Sequence, residues 1–252
     1  MSPISPAQLT ELAESFLATV AQPRTTFSLK PYFSPDRSKE RESLEAARRW
    51  RQLIFDAGFG WLTGPTELGG RGLTVEHELA WRRVLANYEV PDEAPYFGIS
   101  LGMVAPAIAS FAPYATQAEL LPQMYRGDLI ACQLFSEAEA GSDLAAVATT
   151  AWRKSPDEWR IEGEKIWITG AHFSDFGLVL ARLAAEEDGA ATQNSRRHDG
   201  LVALLVPLDQ PAVAIERLEQ PPGSASFCRV TLANATTKDA WRLEEPPSPL
   251  GV

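Results

Sequence analysis

Two patterns of hydrophobic spacing divide this 252-residue chain. Over residues 1–127 apolar positions recur at helical spacing between Pro and Gly breaks. Ser5 followed by Pro6 predicts a helix start. A serine oxygen can accept one of the free N-terminal N–H groups, and proline has no N–H to leave unpaired. Leu9, Leu12, Phe16, Leu17 and Val20 then share one face. A second helix is predicted through the forties and fifties, with Leu44, Ala47, Ile54 and Ala57 on its apolar side and Gly58 as its stop. Thr74 caps a third that runs toward Tyr88, with Val75 and Leu79 marking its buried side. The stretch from Ile99 to Phe111 is apolar or small, with Pro106 inside, which predicts a buried, kinked helix. Thr116 and Glu119 have capping-box spacing ahead of Leu120 and Leu121, and Pro122 bends that helix.

From Asp128 onward short β-rich runs alternate with turn residues. They are Ile130 to Phe135, Trp159 to Ile161, Lys165 to Thr169, Phe176 to Ala181, Leu201 to Pro207, and Phe227 to Leu232. Glu162-Gly163 between the second and third of these reads as a hairpin turn. Ala184 to Asp199 is polar and small, a mobile excursion between strands. The predicted class is α+β: a helical domain over 1–127, an antiparallel β-barrel or sheet domain over 128–240, and a Pro-rich tail over 241–252.

Charge narrows the function. With a formal net charge of -10, the chain has no basic surface to neutralise a nucleic-acid backbone or an anionic leaflet. An anionic ligand has to be met locally, by backbone N–H groups or a few placed cations. No apolar run reaches the roughly 20 residues that cross a bilayer. The N-terminus has no basic region and carries Glu11 and Glu14 inside its apolar stretch, which predicts a cytoplasmic protein. Cys132 and Cys228 are too few for a disulfide framework, and His77, His172 and His198 have no metal-ligand spacing. Ordinary thiols, surface imidazoles and no metal are expected.

Two segments carry candidate chemistry. The first runs Gln133-Leu134-Phe135-Ser136-Glu137-Ala138-Glu139-Ala140-Gly141-Ser142-Asp143-Leu144, a strand entering a small-residue turn. Such an edge offers backbone N–H groups and hydroxyls to the heteroatoms of a flat cofactor, and a lean turn lets a phosphate approach the backbone. Alone, the Gly-Ser-Asp composition fits a plain turn equally well. The second segment, Lys165-Ile166-Trp167-Ile168-Thr169-Gly170, puts an aromatic and a hydroxyl two residues apart on one strand, and strand alternation places both on one face. They could wall a ring system and bond its edge, or belong to the core.

Together, in this order and separation, the segments resemble the flavin-binding signature of the acyl-CoA dehydrogenase family. Gly58-Phe59-Gly60-Trp61, Pro65, Leu68-Gly69-Gly70-Arg71-Gly72, Leu120-Leu121-Pro122 with Gly127, and Phe227 with Val230 match in place as well. The resemblance implies an FAD site in which Gln133, Phe135 and Ser136 line the flavin ring. Phe135 and Ser136 then offer main-chain N–H groups, and Ser136 its hydroxyl. It implies that Gly141 and Ser142 lie near the pyrophosphate and the acyl-CoA thioester arm, that Trp167 covers the far face of the ring, and that Thr169 bonds its reactive edge. Met103, Pro106 and Ile108 lie near the implied acyl pocket. The chain departs from the family at Ala138-Glu139, where Pro-Gly is usual, at Gln133, where an aromatic is common, and at Gly170, where a polar residue is usual.

The implied reaction is α,β-dehydrogenation of an acyl-CoA to a trans-2-enoyl-CoA, which needs a carboxylate base. In the family that base lies in a C-terminal helical bundle, so no catalytic residue is expected within these residues. The resemblance implies a homo- or hetero-oligomer with a related subunit that completes the site, and an electron-acceptor protein. A truncated or non-catalytic binding subunit, or a flavin monooxygenase or oxidase relative, are the alternatives.

Overall fold

The computed structural model describes residues 4–25, 39–184, 200–219 and 227–244. Helix α1, Pro6–Val20, starts as its sequence predicts: the Ser5 side chain accepts from the Gln8 N–H, and the Gln8 side chain accepts from the Ser5 N–H. Its buried side is Leu9, Ala13 and Leu17, whereas Leu12 and Val20 face outward. The apolar stripe is therefore narrower than the spacing predicted. Gln22–Pro23 (β1) pairs with Tyr88–Glu89 (β2) in a two-residue ladder. Helix α2, Glu40–Asp56, buries Ala47, Trp50, Arg51 and Ile54 and stops at Gly58, whose φ of +81° lies in the left-handed region that glycine tolerates.

Helix α3, Val75–Leu85, is capped by Thr74 and His77, but its buried face is the reverse of the predicted one. Val75 and Leu79 are exposed, and His77, Ala80, Trp81 and Val84 face inward. Trp81 decides the orientation, because its ring stacks on Phe59, which in turn stacks on Phe16, at centroid distances of 4.7 and 5.1 Å. Nor is His77 a surface imidazole. It is buried, with Nε2 2.8 Å from the Ile4 carbonyl oxygen.

Helix α4, Ala94–Ile99, passes through a π turn at Ser100–Val104 into α5, Ala105–Phe111. In the π turn the Ala105 N–H donates to the Ser100 carbonyl, five residues back. The wider turn lets Pro106, which lacks an N–H, enter without breaking the helix. This stretch is the one helix among the described residues long and apolar enough to cross a membrane, on length and composition alone. Only 28% of it is buried, so it is not the buried helix its composition predicted. Met103 and Phe111 face outward, while Val104, Ala105 and Ile108 pack inward. Helix α6, Tyr114–Arg126, begins earlier than the predicted capping box: Thr116 lies inside it, buried, and donates to the Ala240 carbonyl at 2.6 Å.

The β part is one eight-stranded sheet. Its strands are β3 (Ala131–Leu134), β4 (Thr150–Ser155), β5 (Glu158–Thr169), β6 (Phe176–Leu183), β7 (Leu201–Pro207), β8 (Val213–Arg217), β9 (Phe227–Lys238) and β10 (Arg242–Leu243). The order is β10-β7-β6-β4-β5-β9-β8, with β3 beside β6. Most pairs are antiparallel, as predicted, but β3 and β4 both run parallel to β6. The sheet curls enough for the Thr237 hydroxyl on β9 to donate to the Leu205 carbonyl on β7 at 2.5 Å. Its interior packs Leu134, Ile161, Ile168, Val179, Leu204 and Val230. A second core crosses from the helices to the sheet: Leu120, Leu121 and Met124 of α6 meet Ala131, Phe176 and Leu205. Strand β10 falls where a Pro-rich tail was expected; the tail from residue 245 onward, and the excursion over residues 185–199, lie outside the described residues.

Glu162-Gly163 is not a hairpin turn. Strand β5 runs straight through it, with a register shift against β9 between Ile161 and Gly163. The hairpin lies one step earlier, where Pro156-Asp157 joins β4 to β5, a dipeptide suited to a tight turn.

Beneath the helices, the Arg51 Nε lies 3.3 Å from Glu93, and Arg51 donates to the carbonyls of Gly60 and Tyr125. Burial outweighs the neighbouring guanidinium and pushes the Glu93 carboxyl up to about 7. The unfolded chain ionises this group in the ordinary carboxylate range, whereas the fold keeps its proton. Stability from this site is therefore full below 4.5 and falls as pH rises toward about 7. Glu93→Gln is expected to flatten the dependence of Tm on pH between about 5 and 8 and to raise Tm at the upper end, as read by thermal melts.

Candidate functional site

The site is assembled where β3 ends beside the middle of β5. The Ile166 N–H donates to the Ser136 carbonyl at 2.9 Å, so the two segments lie side by side. Between them opens a cleft of about 300 Å³ lined by Ile99, Gln133, Phe135, Ser136, Gly141, Ser142, Leu144, Trp167, Ile168 and Thr169. All seven residues singled out in the sequence line it: Gln133, Phe135, Ser136, Gly141, Ser142, Trp167 and Thr169. The size is at the low end for small-molecule pockets, which fits one wall of a site rather than a full enclosure.

Trp167 reaches the cleft by a route that simple alternation does not describe. Lys165 is buried, so regular alternation would bury Trp167 as well. Instead a bulge between Lys165 and Ile168, with Trp167 at φ +62°, resets the phase. Ile168 turns into the core, and Trp167 and Thr169 both line the cleft. A tryptophan at positive φ carries backbone strain of about 1–3 kcal/mol. The indole is 56% exposed and rests edge-on against Phe227, with ring centroids 6.1 Å apart.

The facing wall is held from behind by polar groups. Lys165, fully buried, donates from Nζ to the Phe135 carbonyl at 3.2 Å, the Leu180 carbonyl at 2.8 Å and Glu137 Oε1 at 2.7 Å. Glu137 also accepts the N–H groups of Ala148 at 2.7 Å and Thr149 at 3.0 Å. Burial works to raise the Glu137 carboxyl, but these bonds prevail and hold it below the usual carboxylate range; burial lowers the Lys165 ammonium. In the turn itself, Glu137 and Ala140 exchange main-chain hydrogen bonds across Ala138-Glu139, so the loop closes tightly without Pro-Gly. Glu139 projects outward at its tip.

Two features leave this wall open to a flat ligand. The Ser136 N–H has no acceptor among the described residues. Gly141 has nothing within 4 Å of where a Cβ would stand, so a ligand can come close to its backbone. Ile99, Leu144 and Ile168 were missed in the sequence: Ile99 comes from the helical half, and only tertiary packing reveals it.

A second polar cluster lies past the end of β5, where His172 bridges Cys228 (Nδ1 to Sγ, 3.3 Å) and Glu40 (Nε2 to Oε1, 3.1 Å), and Arg217 grips Glu40 at 2.7 Å. His172 is thus a partly buried tie between α2 and the sheet rather than a surface imidazole. Cys132 and Cys228 are free buried thiols, and burial pushes Cys132 up to about 12. No group of metal-ligating side chains occurs among the described residues.

Residues 132–235 match the family model described as acyl-CoA dehydrogenase, middle domain. The chain is 38% identical over 214 residues to acyl-CoA dehydrogenase IpdE1 of Mycobacterium tuberculosis (strain ATCC 25618 / H37Rv), a match covering 81% of this chain and 53% of that protein. The chain thus spans about half the length of the curated relatives it matches. Among solved structures, the Tcur3481-Tcur3483 steroid ACAD G363A variant superposes with a TM-score of 0.69 at 20% identity, over 96% of this chain and 58% of that one. The ChsE4-ChsE5 complex from Mycobacterium tuberculosis gives 0.67 at 22% identity, over 98% and 58%. At such identities the superpositions speak for the fold.

Proposed function

The chain belongs to the acyl-CoA dehydrogenase family, and on that premise we propose that it forms the helical and β portion of an FAD-dependent enzyme oxidising an acyl-CoA thioester to its trans-2-enoyl-CoA. The observation that carries this reading is the convergence of the seven signature residues on one cleft with an unpaired N–H at its edge. When bound, FAD supplies the acceptor for a hydride from the carbon β to the thioester.

In this proposal each residue has a defined task. Phe135 and Ser136 offer main-chain N–H groups to the ring edge, and the Ser136 hydroxyl adds a second donor. Gln133 flanks them. Thr169 donates to the opposite edge, where negative charge builds as the substrate is oxidised. Trp167 covers one ring face and limits water access. Gly141 and Ser142 leave room for the pyrophosphate, and Ser142 also meets the thioester arm. Of the residues expected near the acyl pocket, Met103 and Pro106 are exposed on the apolar helix, whereas Ile108 is fully buried.

The catalytic carboxylate is proposed to come from outside these 252 residues, from a subunit of the same family. Two observations support that. The Ala94–Phe111 helix exposes Met103 and Phe111, which suits packing against further helices. Two superposing structures, Tcur3481-Tcur3483 and ChsE4-ChsE5, are heteromeric complexes.

The test is a titration of FAD with the purified chain, alone and with co-expressed family subunits, read by quenching of flavin fluorescence. Saturable quenching that Trp167→Ala weakens is expected. Absence of flavin binding in every such context would remove the enzymatic reading. Gly141→Val is expected to leave Tm within about 2 °C of the parent, because space is open there, yet to weaken FAD binding by about tenfold or more.

A further inference from the structure

We propose that Lys165 is the positioning residue of this cleft: its buried ammonium, by gripping the Phe135 carbonyl, aims the Ser136 N–H at the ligand. The geometry follows from peptide planarity. In a trans peptide the C=O of residue 135 and the N–H of residue 136 point in opposite directions. The Lys165 Nζ draws the Phe135 carbonyl inward, so the Ser136 N–H faces away from the interior, and it has no internal acceptor among the described residues. One bond further on, the Ser136 carbonyl is fixed by the Ile166 N–H, the neighbour of Lys165 in sequence. The third donor of Lys165 reaches the Leu180 carbonyl on β6, so the ammonium ties β5, β6 and the end of β3 together behind the cleft.

Glu137 extends the same hold. Its carboxylate neutralises Lys165 and accepts the Ala148 and Thr149 N–H groups, closing the loop that contains Gly141, Ser142 and Leu144. One ammonium therefore governs the ring-edge donors directly and the loop opposite through its partner. A buried ion pair that served stability alone could be replaced by neutral groups of similar size at little cost. At a positioning pair the same replacement also loosens the cleft, because methionine has no donor for the Phe135 carbonyl.

That difference defines the experiment, which uses the full chain and the double variant Glu137→Gln/Lys165→Met. The inference rests on the proposed FAD site for its ligand, but hydrogen exchange at the Ile166 amide tests it without FAD. The double variant is expected to remain folded, with a Tm above that of Lys165→Met alone, while the Ile166 amide exchanges roughly tenfold faster or more relative to the amides of β6 and β9. FAD affinity is expected to fall by about tenfold in parallel. Unchanged Ile166 protection in the folded double variant overturns the proposal whether or not FAD binds. Failure of wild type to bind FAD counts against the proposed function and leaves the exchange result to judge Lys165. If the double variant does not fold, exchange in wild type decides: the Ser136 amide, which has no internal acceptor among the described residues, is expected to exchange faster than the Ile166 amide, and a Ser136 amide as protected as Ile166 overturns the proposal.

Discussion

Lys165→Met, with Glu137 left in place, is expected to cost about 3–5 kcal/mol of folding stability. The change removes a cation that has no exposed surface and leaves the Glu137 carboxylate facing an apolar side chain. It also strips the donor from two buried carbonyls, those of Phe135 and Leu180. Denaturant unfolding should show a midpoint shifted down with the slope preserved. Part of the loss should return as pH falls through the carboxylate range, because a protonated Glu137 no longer needs a cation. A shift below about 1 kcal/mol would mean that water reaches this pair and that the interior behind the cleft is not closed.

Gly163→Ala is the second change of large expected effect, about 2–5 kcal/mol. An added Cβ would stand 2.4 Å from the Thr149 Oγ1 and 2.7 Å from the Thr149 Cα. The latter is main chain and cannot swing aside. The backbone at Gly163, with φ +154°, is also one that side-chain-bearing residues rarely adopt. Because Thr149 closes the Glu137 loop, the strain should reach the cleft. Gly102→Ala is the matched control: nothing lies within 4 Å of its Cβ position, so it should be neutral or stabilising by up to about 1 kcal/mol. Paired thermal melts of the two variants test the contrast.

The lining of the cleft was more legible in the sequence than the packing around it. The seven residues that line the cleft sit in local features, a lean turn and an aromatic-hydroxyl pair, which short motifs carry intact. Helix starts were legible for the same reason: the Ser5 and Thr74 caps depend on neighbours within one turn. Which face of a helix turns inward is a tertiary decision. On α3 the spacing favoured Val75 and Leu79, but the stack of Phe16, Phe59 and Trp81 sets the orientation, and no periodicity rule weighs a ring against two aliphatics. The hairpin misread at Glu162-Gly163 has a similar cause. Glycine serves a turn and a close strand approach equally well, and only the proximity of Thr149 distinguishes them. Strands β4 and β8 carry too many polar residues for alternation to mark them: Thr150–Ser155 has one fully buried position and Val213–Arg217 none. The parallel pairing of β3 with β6 depends on chain crossings that local patterns do not record.

The bulge that turns Trp167 outward leaves the cleft with a built-in optical probe. Of the seven tryptophans, Trp50, Trp61, Trp81 and Trp159 are buried, Trp152 and Trp241 are partly covered, and Trp167 alone is open to solvent. A collisional quencher added to the unliganded chain should therefore reach mainly this indole, from the red side of the emission band. Whatever settles against the wall would shield it, so occupancy by any molecule, coloured or colourless, is measurable on the native polypeptide without a label.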